Sequence, residues 1–310
     1  MPETVTQPDR LTRFFFWGNL FCQIGIIVTG GVVRLTKSGL GCTSWPGCEP
    51  GQFLPVYHPE SGLHPFIEAG NRALTGVLVI FAVGLLAMTF LRLKHKGKGF
   101  LLLSCVPLIL TFTQAIIGMV TVIYHLHPGL VAPHFIVSPI LVAFSAVLVY
   151  RLYEGDGQRS RLYPAAIYVL YTALAVAGFI VIFLGTVVTG SGPHSGDATR
   201  ASRLPFDPRT VAWLHADAVM LFMGLLVGVL AILYIIRAQR PAKKAAWLLV
   251  ALSLAQGAIG YGQYFLGLPE LLVGMHLLGA GLFAALIAYL GAALYTWQPQ
   301  PVSQSPAGVN

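Results

Sequence analysis

The sequence predicts an all-α integral membrane protein with eight transmembrane helices, built as two parallel four-helix repeats. Three observations predict it. Of 310 residues, 56% are hydrophobic and only 10% charged, with a mean hydropathy of +0.74, whereas soluble domains carry about 25% charged residues. Eight apolar runs are each long enough to cross a hydrocarbon layer of roughly 30 Å at about 1.5 Å per residue. The motifs of the first half recur in the second.

The spans are expected at 14–34, 66–91, 100–123, 131–151, 163–189, 210–236, 245–266 and 271–296. The first, "FFFWGNLFCQIGIIVTGGVV", is too long for the apolar core of a secretory signal and carries no clear cleavage site, so it reads as a span. The second opens on "HPFIEAGNRAL", with Glu68, Asn71 and Arg72 inside one helical turn. The third contains "QAIIG" from Gln114 and the fourth carries His134; the seventh contains "QGAIG" from Gln256 and the eighth carries His276. The fifth ends on "GTVV", and the sixth opens on "WLHADAV" with His215.

Basic residues fix the expected orientation. Arg10 and Arg13 precede span one, "RLKHKGK" follows span two, Arg151, Arg159 and Arg161 separate spans four and five, and Arg237, Arg240, Lys243 and Lys244 separate spans six and seven. By the positive-inside rule these are cytoplasmic sides, so both termini are expected in the cytoplasm of a multi-pass cell-membrane protein. The net charge of +8 is then mostly a topology signal with contact to anionic lipid, and no nucleic-acid partner is expected.

The repeat is read from spacing. Gln114 to His134 and Gln256 to His276 are both twenty residues, at an offset of 142. An offset of 144 sets Asn71 opposite His215, and "GGVV" at 30–33 resembles "GTVV" at 185–188. Four spans per half make the repeat parallel. The halves are 1–155 and 156–310, the first with a long outer loop at 35–65. Cys42 and Cys48 stand in the turn-rich "SGLGCTSWPGCEP" of that loop, on the oxidising side; a disulfide, a redox-cycling pair and a metal pair are the alternatives, and no His lies between them to serve a metal.

His134, His215 and His276 fall in the first two turns of spans that start on the outer side, and Asn71 holds the same slot in span two. Ionisable groups in spans face bundle interiors or sites. Spans six and eight each offer one imidazole, which suits a flat cofactor such as haem with an axial ligand from each side. Zinc or copper asks for more ligands than these. Gln114 and Gln256 are expected to hydrogen-bond between helices.

"TGGVVRLTKSGLGCTSWPGC", "PFIEAGNR", His134, "WLHADAV" and His276 together resemble the haem A synthase family, over residues 14 to about 296. The resemblance implies an oxidoreductase that converts haem O to haem A by successive hydroxylations of a ring methyl. It implies that His215 and His276 hold a haem b cofactor, that His134 binds substrate haem, and that Glu68 is the catalytic carboxylate of a Glu-x-x-His motif. Here Asn71 replaces that motif's histidine, leaving His134 as the one imidazole of the substrate half. Arg34 and Arg72 suit haem propionates, since a guanidinium fork matches a carboxylate; Arg34 equally suits a lipid-facing anchor. Expected partners are haem O, membrane lipid, a haem O synthase and an unidentified electron acceptor. A di-haem electron-transfer cytochrome is the alternative, and a parallel-repeat transporter is a weaker rival because the polar residues cluster at the outer face instead of mid-membrane.

Overall fold

The computed structural model describes residues 7–155, 158–197 and 202–298. Eight long helices account for almost all of them: α1 (Arg10–Leu35), α2 (His64–Arg92), α3 (Lys98–Ile123), α4 (Pro128–Leu152), α5 (Ala165–Ser191), α6 (Pro208–Ile235), α7 (Arg240–Phe265) and α8 (Glu270–Ala293). All eight are long and apolar enough to cross a membrane.

Local chemistry sets the helix starts. Asp9 caps α1, its side chain accepting from the backbone N–H groups of Leu11 and Thr12. The Thr12 hydroxyl and the Arg92 guanidinium hold its carboxyl well below the usual carboxylate range, tying α1 to the end of α2. Proline stands at the first or second position of α2, α4, α6 and α7, where its missing N–H costs nothing. Asp207 caps α6 through the Thr210 N–H at 2.8 Å.

The expected spans match these helices except at their ends. The largest differences are at α7, which begins at Arg240 and not 245, and at α1, which begins at Arg10 and not 14; α8 ends at Ala293 and not 296. Hydropathy does not register helical turns that run out among Lys and Arg, which explains α7. Beyond α8, Tyr295–Gln298 forms a strand (β2) paired antiparallel with Gln158–Arg161 (β1), with Arg161 opposite Tyr295. An apolar run ending in Tyr-Thr-Trp reads as helix until a partner strand from the loop before α5 is seen.

Neighbour relations give two rings of four. α1 and α3 each pack against both α2 and α4, so α2 and α4 are diagonal; α5 and α7 each pack against both α6 and α8 in the same way. The rings meet where α4 lies along α8, flanked by α1 on α8 and α5 on α4. Exchanging α1–α4 with α5–α8 maps every one of these helix neighbours onto another.

Lipid tails are as apolar as leucine, so burial alone does not favour helix–helix contact over helix–lipid contact. Close packing and interhelical hydrogen bonds supply the difference. One buried cluster joins Leu174, Phe222, Leu226, Leu249 and Leu290; another joins Phe16, Leu85, Phe100, Val142 and Leu148. Asn19 Nδ2 donates to Ser145 Oγ at 2.8 Å, linking α1 to α4.

On the side where the even-numbered helices begin, Arg34 clasps the two rings together. Its Nε donates to the His194 carbonyl at 2.6 Å and its Nη2 to the Thr189 carbonyl at 3.0 Å, at the end of α5. The Gly39 N–H donates to the Gly196 carbonyl at 2.9 Å beside it. The last carbonyls of a helix lack intrahelical donors, so a guanidinium is well suited to them. Arg34→Ala is expected to remove about 2 kcal/mol, the scale of a charge-assisted hydrogen bond, and to lower the unfolding midpoint in detergent. Arg34→Lys, a single point charge without the fork, is expected to recover only part of it.

Candidate functional site

The loop between α1 and α2 is built onto the first turns of α2. At Gly41 the loop backbone crosses so close that a Cβ would stand 2.5 Å from the His64 carbonyl carbon, so a side chain has no room there. Cys42 and Cys48 form a disulfide. The Cys42 N–H donates to Glu68 Oε2 at 2.8 Å. Arg72, one turn on from Glu68, donates from Nε to Glu68 Oε1 at 3.1 Å and pairs with the same oxygen through Nη2. Its Nη1 donates to the carbonyls of Ser44 at 2.7 Å and Gly47 at 2.9 Å.

Glu68 is only 4% exposed, so the small worth of an exposed i,i+4 pair does not describe it. A buried carboxylate is tolerable only when paired and hydrogen-bonded. Arg72 supplies the countercharge and Cys42 the backbone donor. The disulfide loop, the carboxylate and the guanidinium therefore form one unit. The sequence sets Glu68 and Arg72 within one helical turn, but the loop carbonyls and Cys42 N–H that complete the unit are not legible there, because backbone partners leave no mark in a sequence.

Asn71 and His215 are each the eighth residue of their helix, and His134 and His276 each the seventh, so all four lie at similar depth, about 10 Å from the helix start. The rings of His215 and His276 face each other from diagonal helices with centroids 6.4 Å apart and planes at 73°. His134 is held through its backbone: Gln114 Nε2 donates to the His134 carbonyl at 2.9 Å and to Ser138 Oγ at 2.7 Å. Asn71 Oδ1 accepts from Thr29 Oγ1 at 2.7 Å. Among the described residues no hydrogen bond joins Asn71 to Glu68 or to His134. Gln114 thus makes the interhelical bond expected of it, whereas Gln256 packs its amide where a Cβ on Gly279 would be. His64, the first residue of α2, and His194, just beyond α5, also have partners: Ser38 Oγ at 2.8 Å and the Leu268 carbonyl at 3.1 Å.

Nδ1 of His134, of His215 and of His276 is buried with no hydrogen-bond partner in the protein. Buried ring nitrogens left without a partner call for one. Two imidazoles brought face to face, with no third His, Cys, Asp or Glu grouped with them among the described residues, suit the two axial positions of a haem. The donor set fits such a group.

The family model described as cytochrome oxidase assembly protein (COX15-CtaA) matches residues 13–195, more than half of the chain, and takes in the disulfide loop, Glu68, Asn71 and His134. The chain belongs to that family. A protein of Staphylococcus saprophyticus named Heme A synthase is 30% identical over 261 residues, covering 77% of this chain and 80% of its own. The Heme A synthase of Bacillus pumilus is 26% identical over 274 residues, covering 80% and 84%. That of an Exiguobacterium species is 30% identical over 192 residues, and the match spans 57% of this chain and 58% of the relative. A second Exiguobacterium relative is likewise matched over 57% of its length.

Proposed function

We propose that this member of the family is a haem A synthase, an oxidoreductase that converts the ring methyl of haem O to a formyl by successive hydroxylations. The observation that carries the reading is the asymmetry at one depth of two similar rings. One ring has a buried Glu68 with Asn71 and His134; the other has the paired imidazoles of His215 and His276. The name shared by the relatives points the same way.

The two halves, 1–155 and 156–310, act as parallel repeats, a reading supported by the matching helix neighbours; their boundary adjoins residues 156 and 157, which lie outside the described residues, as do both chain ends. The basic loops put the termini in the cytoplasm and the disulfide loop outside. His215 and His276 hold haem b, which when bound supplies one-electron transfer. His134 ligates the iron of haem O from one side. Asn71, its carbonyl oxygen engaged by Thr29, turns its amide N–H groups towards the opposite side without ligating, so the substrate iron lacks a second imidazole. Spectra showing two bis-histidine haems in the purified protein would rule this out.

Turning a methyl into a formyl withdraws four electrons from the carbon, so an acceptor outside the chain is required. Glu68 stabilises positive charge developing at that carbon, or takes a proton from an attacking water. Arg72 pairs with Glu68 and fixes its direction, and the disulfide loop covers it. Arg72 and Arg34 offer their remaining N–H groups to the haem propionates. A haem O synthase is the expected donor, since an insoluble substrate is best handed over within the membrane.

Expression in cells that make haem O, followed by pigment extraction, tests the function: haem A accumulates only with the intact protein. If bound haem is present and no haem A forms, the protein is instead a di-haem electron-transfer cytochrome. Such a protein would have no use for Glu68.

A further inference from the structure

Each ligand imidazole brings its Cε1 edge near the place where a side chain would begin on a glycine of the preceding helix. An added Cβ on Gly118 of α3 would lie 3.2 Å from His134 Cε1, 3.7 Å from Nε2 and 3.9 Å from Nδ1. On Gly185 of α5 it would lie 3.4 Å from His215 Cε1 and 3.8 Å from Nδ1, and on Gly260 of α7 it would lie 3.8 Å from His276 Cε1. In all three the same ring edge, the carbon between the two nitrogens, faces the neighbouring backbone. The fourth member of the pattern is Gly30 of α1, which the repeat sets opposite Gly185; a Cβ there meets nothing within 4 Å. Thr29, next to it, holds Asn71, the residue in the histidine slot.

We propose that Gly118 and Gly185 are positioning residues for the haem-ligand histidines, setting the rotation of each ring by offering its Cε1 edge a bare helix backbone. The inference rests on the reading of these histidines as haem ligands. The rotation of a five-membered ring sets the directions of both nitrogens at once, and the space beside Cε1 stays open to the ring only while the facing residue has no side chain. That orientation is then available before any iron is bound, which is the preorganisation a ligand site needs. A methyl at 118 would enter the space of the ring, and His134 would have to turn or shift by a few tenths of an ångström. A methyl at 260 would make ordinary contact, and one at 30 would touch nothing.

The effects are therefore graded and local. Gly118→Ala is expected to change the spectrum of the haem in the first half alone and to speed its dissociation at least about tenfold, the scale seen when groups that orient a metal ligand are disturbed. Gly185→Ala is expected to shift the electron paramagnetic resonance of the His215–His276 haem alone, by a smaller amount. Gly260→Ala and Gly30→Ala are expected to match the unaltered protein at both sites. Alanine is the better helix former, so loss of haem in these variants does not arise from a weakened helix. The full-length protein, purified with its haems, is measured for each variant by absorption and paramagnetic resonance, alongside His134→Ala and His215→Ala. Unchanged spectra and dissociation in both Gly118→Ala and Gly185→Ala, or equal changes at both sites in all four glycine variants, overturn the proposal. If one of the two does not accumulate, the other decides. Retention of both haem signals in the histidine variants overturns the ligand reading itself, and the glycine inference with it.

Discussion

Glu68→Gln is expected to lower haem A formation by about 10²-fold or more, the range of a lost general acid or base, while the protein still accumulates with its second-half haem. The two halves of that expectation follow from the same hydrogen bonds. Glutamine retains an oxygen that accepts from the Cys42 N–H, and Arg72 keeps its Ser44 and Gly47 carbonyls. The cost of breaking a buried pair, about 3–5 kcal/mol when a charge is left with no partner, is therefore only partly incurred. What disappears is the negative charge beside the reacting carbon. Glu68→Asp keeps that charge but shortens the reach to Cys42 by one methylene, and its activity is expected to fall between the two. Pigment extraction and haem content, measured on the same preparations, separate chemistry from folding. A Glu68→Gln protein that makes haem A at the normal rate would end the catalytic assignment.

His215→Ala and His276→Ala are each expected to remove the low-spin haem of the second half, leaving a haem content one lower per chain and retention weakened by well over tenfold. Neither change should alter the first-half haem, because His134 stands in the other ring. The 6.4 Å ring pair is the reason for treating both histidines alike: on the proposed reading each is one side of a single site. His134→Ala should do the converse. A variant lacking His276 whose haem spectrum is unchanged would show that the pair has another purpose.

The link from loop to carboxylate gives the disulfide a place in this scheme. Cys42 is at once a disulfide partner and, through its N–H, a donor to Glu68; Arg72 reaches across the same short loop. Anything that displaces the loop exposes Glu68 to water and removes its Cys42 donor. The loop is thus mechanically coupled to Glu68 through its backbone.

Much of this was legible in the sequence. Apolar runs of span length reveal helices in lipid, because every backbone polar group there must be satisfied within its own segment. Fixed spacing from Gln to His revealed the recurring depth of His134 and His276, and of the motifs that carry the family resemblance, those from span one to His134 fall within the family match over residues 13–195, whereas His215 and His276 lie beyond it. Ends and partners were not legible. Hydropathy carried α8 through Tyr295 because it has no knowledge of the strand waiting at Gln158–Arg161. Arg34 read as a propionate ligand or a lipid anchor, and the structure spends two of its nitrogen atoms on carbonyls of α5 and the loop beyond.

The division has a physical cause. Composition, hydrophobic length and the spacing of polar residues along a helix are properties of the chain itself, and they determined by themselves a membrane protein of eight helices with its chemistry gathered near one face. Which imidazole meets which, what a buried carboxylate accepts from, and which glycine leaves room for a ring depend on helices far apart in sequence and on backbone groups that every residue carries alike. Those were decided only by tertiary packing, since that alone brings His215 to His276, Cys42 to Glu68 and Gly118 to His134.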